Sequence, residues 1–130
     1  MNPLRVLMAE DEVLAAEVLE EALAEAGFAI LSAEDGQAAL ELADGHGFDV
    51  LLTDLRMPRM DGRELIQRLR QRFPGLPVVV MTGYDPGAEE VALHAGGGPL
   101  RLLAKPLRLA DVVAAVIDVA GARFRPGFAP

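Results

Sequence analysis

Three stretches of this chain are apolar without alternation: Val6–Ala9, Val50–Leu52 and Val78–Met81. A strand covered on one face only would alternate apolar with polar. Continuous runs need cover on both faces, as in a parallel sheet with helices above and below. Each run is followed by a segment with helical spacing. The strands are read at Leu4–Ala9, Phe28–Ala33, Phe48–Asp54, Leu76–Gly83 and Leu100–Pro106. Helices are expected at Glu12–Gly27, Glu34–Gly47, Asp61–Gly75, Asp85–Gly98 and Arg108–Gly121, most of them stopped by Gly or Pro. The helix over 85–98 has the weakest pattern. Five β–α units in succession, with no repeat and no interior linker, predict an α/β, doubly wound, five-stranded parallel sheet with five helices. The expected strand order is 2-1-3-4-5, whose crevice lies at the carboxyl ends of strands 1 and 3. The domain is expected over 1–122, with a C-terminal tail at 123–130.

Composition removes several classes of function. A formal charge of −8 argues against a nucleic-acid binder. No cysteine is present, so disulfides, thiolate metal sites and a Cys nucleophile are excluded. No apolar run reaches membrane-spanning length and the N-terminus has no signal-peptide pattern, so the expected location is the cytoplasm and no membrane partner is expected.

The strand ends carry the chemistry. Glu10 and Asp11 follow strand 1, and Asp54 ends strand 3. In the expected order these strands are neighbours, about 4.8 Å apart. Three carboxylates therefore converge, and at least one pKa should rise unless a cation intervenes. Hard oxygen donors with open positions suit Mg²⁺, with Mn²⁺ able to substitute; the absence of His and Cys at these ends argues against Zn²⁺. Strand 4 ends at Thr82 and strand 5 at Lys105, the single lysine among twelve basic residues. A hydroxyl and an ammonium beside one carboxylate suit an Asp54 that acquires a phosphoryl group, since each would hold one of its oxygens. Taken singly, each residue has an ordinary explanation. An acid after a strand caps a helix, a Thr fills a strand, and a Lys reaches to solvent. Asp61 is read as the cap of the third helix. Together, at the ends of four strands, they form a constellation.

With these residues in view, the chain resembles the receiver domain of bacterial two-component response regulators over nearly its whole length. The stretches that carry the likeness are "MAEDE" (Met8–Glu12), "TDLRMPRMDG" (Thr53–Gly62), "MTGY" (Met81–Tyr84) and "AKP" (Ala104–Pro106). The resemblance implies a flavodoxin-like fold, Asp54 as phosphoacceptor and a Mg²⁺ site of Glu10, Asp11, Asp54 and the backbone carbonyl of Arg56. It implies Thr82 as the switch hydroxyl and Lys105 as the lysine of the site, followed by Pro106, often through a cis bond. A histidine kinase or histidine phosphotransfer protein would be the donor. The face of the fourth helix, fifth strand and fifth helix would switch toward a downstream protein. Such a domain is not an enzyme beyond its own phosphorylation and dephosphorylation.

The sequence departs from that pattern in two places. Leu102 stands where receivers usually carry Tyr or Phe, which puts aromatic signalling in doubt. "HAGGGPL" (His94–Leu100) is long and glycine-rich, which suggests a short or mobile fourth helix. Arg56 and Tyr84 are expected to flank the path of the water that hydrolyses the phosphoryl group. Other readings fit less well. An FMN binder would want a phosphate-cradling loop where "AEDE" stands. A phosphatase with an Asp nucleophile would want Asp-x-Asp after strand 1. A degenerate receiver used only for docking would not need Asp54, Thr82 and Lys105 together. For output, a stand-alone regulator acting by protein contact is expected; a domain of a larger hybrid kinase or regulator is the alternative.

Overall fold

The computed structural model describes residues 3–83 and 98–121. Five strands, β1 (Arg5–Ala9), β2 (Ala29–Ala33), β3 (Val50–Asp54), β4 (Val78–Thr82) and β5 (Leu100–Ala104), form one parallel sheet in the order β2-β1-β3-β4-β5. Four helices are present among the described residues: α1 (Val13–Glu25), α2 (Gly36–Gly45), α3 (Gly62–Arg72) and α4 (Leu109–Ala120). The expectation of five helices is met only to that extent. The helix read at 85–98 falls almost wholly outside the described residues, as do Tyr84 and the tail. The helices are also shorter than read from the sequence. Glu34 and Asp35 precede α2 rather than joining it, because Asp35 turns its carboxylate onto the Ala38 N–H at 2.8 Å and caps the helix from outside. Asp61 caps α3 in the same way, through the Glu64 N–H at 3.0 Å.

β1, β3 and β4 carry the continuous runs, and all but Arg5 of their residues are buried. Leu7, Ala9, Leu51, Val78 and Val80 face α2 and α3, where they meet Ala39, Ala43, Leu65, Ile66 and Leu69. Val6, Met8, Val50, Leu52, Val79 and Met81 face α1 and α4, where they meet Leu19, Leu23, Val112, Ala115 and Val116. Two cores therefore sandwich the sheet, which is why alternation is missing from the three central strands. The edge strands β2 and β5 are only partly covered.

At the amino ends of the strands a buried arginine replaces apolar packing. Arg70 of α3 donates to the Leu76 carbonyl through Nε (3.1 Å) and Nη2 (2.9 Å), and to the Pro99 carbonyl through Nη2 (3.0 Å). Leu76 and Pro99 lead into β4 and β5, so one guanidinium joins α3 to both strands. Burial pulls its pKa below the usual guanidinium range.

Gly45 ends α2, and an added Cβ there would meet nothing within 4 Å. Gly45→Ala should therefore stabilise the protein by about 0.5 kcal/mol through helix propensity, raising Tm by roughly 2 °C in a thermal melt.

Candidate functional site

The parallel sheet delivers all five carboxyl ends to one rim, and register decides what meets there. Ala9 of β1 pairs with Thr53 of β3, and Asp54 pairs with Met81 of β4. Glu10 and Asp11 thus lie beside Asp54. One carboxylate oxygen from each of the three lies within 4.8 Å of the others. Glu10 and Asp54 are buried, at 3% and 6% exposure, while Asp11 is exposed. Neither Glu10 nor Asp11 caps α1. The residue before that helix is Glu12, with no side-chain cap, and its N–H is donated back to Glu10 Oε2 at 3.0 Å. Glu10 is held in the pocket rather than spent on the helix.

Lys105 enters from the far side. Its N–H donates to the Thr82 carbonyl at 2.7 Å, which extends the β4–β5 ladder by one residue. Its ammonium ion-pairs with Asp54 Oδ2 and lies 4.0 Å from Glu10 Oε1. The other Asp54 oxygen, Oδ1, accepts the Arg56 backbone N–H at 3.1 Å. Burial pushes the Glu10 carboxyl above the ordinary range, opposed by the Glu12 N–H and Lys105 and reinforced by the Asp54 charge. Burial pulls the Lys105 ammonium down, but its hydrogen bond to Asp54 and the charges of Asp54, Glu10 and Glu12 outweigh it and hold it above the ordinary lysine range.

The site therefore gathers Glu10, Asp11, Asp54 and Lys105, as expected from the strand ends. The Lys105–Pro106 peptide is cis. Thr82 is buried at the end of β4, with its hydroxyl donated to the Gly83 carbonyl at 3.1 Å. Leu102 is half-buried and packs on the core shared with α2 and α3. Tyr84 lies outside the described residues.

The donor set fits a hard divalent cation. Three carboxylates, two of them buried, meet one ammonium, and burial already penalises the charge on Glu10.

Two residues not singled out from the sequence join the loop from β3 to α3 to the start of α2. Arg59 donates to Asp35 Oδ2 through Nε at 2.8 Å, and its Nη2 lies 2.6 Å from the same oxygen. The Asp35-Gly36 pair before a helical pattern is a capping signal that would have flagged Asp35. Nothing local marks Arg59, because its partner is 24 residues away.

Comparison with known proteins is consistent across sequence and structure. A family model for the response regulator receiver domain matches residues 6–117. The transcriptional regulatory protein PdtaR of Mycobacterium tuberculosis is 38% identical over 124 residues, 95% of this chain and 59% of that protein. The DNA-binding transcriptional regulator NtrC of Escherichia coli is 40% identical over 99 residues, 76% of this chain and 21% of that protein. The chain thus spans little more than half of the first relative and a fifth of the second. A response regulator receiver protein from Sinorhizobium medicae superposes with a TM-score of 0.82 at 29% identity, over 93% of this chain and 97% of that one.

Proposed function

The chain belongs to the response regulator receiver domain family of two-component signalling, and on that premise we propose that Asp54 is its phosphoacceptor. The observation that carries this reading is the pairing of Asp54 with Lys105 inside a cluster of three carboxylates. Phosphoryl transfer needs little covalent chemistry from a protein beyond a nucleophile, positioning and compensation of charge. Asp54 attacks the phosphorus of a phosphohistidine; the new bond is carboxylate oxygen to phosphorus, and the bond that breaks is imidazole nitrogen to phosphorus. The Arg56 N–H on Oδ1 and Lys105 on Oδ2 fix the plane of the carboxylate. As charge moves to the phosphoryl oxygens, the ammonium moves its hydrogen bond to one of them. Thr82 gives up the Gly83 carbonyl and donates its hydroxyl to another. Glu10, Asp11, Asp54 and the Arg56 carbonyl would hold Mg²⁺, with Mn²⁺ able to substitute; when bound it supplies charge neutralisation at the transferring group.

The donor is a histidine kinase or histidine phosphotransfer protein. Val13, Leu14 and Val18 stand exposed on α1 beside the pocket and give such a donor an apolar footing. The output passes by protein contact through the face of β5 and α4, where Leu102 and Leu103 are only partly covered. Residues 1–122 form the receiver unit and 123–130 a tail. The domain signals and does not turn over a substrate of its own. It works in the cytoplasm, consistent with no described helix being long and apolar enough to cross a membrane.

Intact-mass spectrometry after incubation with acetyl phosphate tests this reading. The expected result is one phosphoryl group gained with Mg²⁺ and none with EDTA. A folded protein that binds Mg²⁺ yet gains nothing from acetyl phosphate or from a phosphorylated histidine donor would overturn it.

A further inference from the structure

The loop between β3 and α3 is held at three places. At its start the Arg56 N–H sits on Asp54. At its end the Gly62 N–H donates to the Leu55 carbonyl at 2.8 Å. Its middle is held across the molecule. Arg59 has φ +68°, a left-handed backbone that costs a residue with a side chain roughly 1 kcal/mol or more. It nevertheless reaches Asp35, which is buried at 4% exposure. Asp35 divides its carboxylate: Oδ1 caps α2 and Oδ2 takes Arg59. The Ala38 N–H chiefly holds the Asp35 carboxyl below the usual range, burial opposes this, and Arg59 adds to it. Beside this pair the backbones touch, since an added Cβ at Gly36 would overlap the Met60 carbonyl oxygen. Met60 itself is buried in the core under α2 and α3.

We propose that Asp35 and Arg59 are positioning residues for the cation site, a clamp that holds the 56–60 loop so that the Arg56 carbonyl stays at the acidic pocket. Neither side chain touches the reacting atoms. They act through four residues of backbone, three of them between Arg56 and a fixed Met60. Two features point to this role rather than to simple stabilisation. The pair spends a strained backbone at Arg59, where Gly would fit without cost. It also ties the loop to α2, an element that contributes no ligand to the pocket. The clamp rests on the cation site proposed above.

Isothermal titration of MgCl₂ into the full chain tests it, using two variants chosen to keep the fold. Asp35→Asn keeps a helix-capping oxygen while removing the charge that Arg59 meets. Arg59→Gly removes the guanidinium and relieves the left-handed strain, so its Tm should not fall much. Each should weaken Mg²⁺ binding by roughly tenfold, as loss of a partner that orients a ligand does. The double variant should be no weaker than either single one, because one clamp is lost once. Folded single variants that bind Mg²⁺ as the parent does would overturn the clamp and leave Asp54 as phosphoacceptor untouched. Losses that add in the double variant would overturn it too. A parent protein that binds no Mg²⁺ would instead overturn the cation site, and the clamp with it.

Discussion

Asp54→Ala should gain no phosphoryl group from acetyl phosphate or a phosphohistidine donor, at any Mg²⁺ concentration, in the same intact-mass measurement. The neighbouring carboxylates cannot take over. Glu10 is buried with its Oε2 engaged by the Glu12 N–H, and Asp11 is exposed, whereas it is Asp54 that accepts the Arg56 N–H and pairs with Lys105. Loss of phosphorylation should come without loss of fold. Removing one partner of a deeply buried ion pair usually costs several kcal/mol, because a charge is stranded. Here Lys105 is about one-third exposed and still has Glu10 at 4.0 Å. Removing Asp54 also relieves repulsion among three carboxylates. The net change in stability should stay within about 1 kcal/mol. An Asp54→Ala protein that still acquires a phosphoryl group would move the acceptor elsewhere.

Gly62→Ala should be strongly destabilising, because the added methyl meets backbone that cannot give way. A Cβ at Gly62 would overlap the Asp54 carbonyl oxygen and lie 2.9 Å from Leu55 Cα. Both are backbone atoms at the strand end that carries Asp54, so no side chain can swing aside. The overlap should cost about 3 kcal/mol and lower Tm by roughly 10 °C. Because the strain is released by moving Asp54, phosphorylation should slow as well. Gly45→Ala, with open space around it, is the matched control. A Gly62→Ala protein that melts with the parent would show that the loop has room the structure does not display.

The sheet was legible because covering both faces leaves a direct mark on composition. Val6–Ala9, Val50–Leu52 and Val78–Met81 could be read as central strands, and the order of the units then brought Glu10, Asp11, Asp54 and Lys105 together. Each of these follows or ends a strand, and a parallel sheet turns that one-dimensional property into proximity. Helix ends were less legible. Glu34 is a good helix former, but Asp35 next to it takes the capping position, and a short capping bond outweighs propensity at a terminus. Thr82 was expected to serve a phosphoryl group; its hydroxyl is donated to the Gly83 carbonyl. The Asp35–Arg59 pair and the Arg70 bonds to Leu76 and Pro99 were not legible. Each joins separate elements through long polar side chains, and no periodicity records that.

Arg70 has a consequence for how such a domain can change. A parallel sheet has polarity, with every strand starting at one rim and finishing at the other. The finishing rim holds the three carboxylates and Lys105. The starting rim holds a guanidinium bonded to the carbonyls that lead into β4 and β5. Anchorage and reactivity are thus lodged a full strand length apart. Changes to this anchor should therefore move heat tolerance while leaving the arrangement of Glu10, Asp11, Asp54 and Lys105 at the other pole in place.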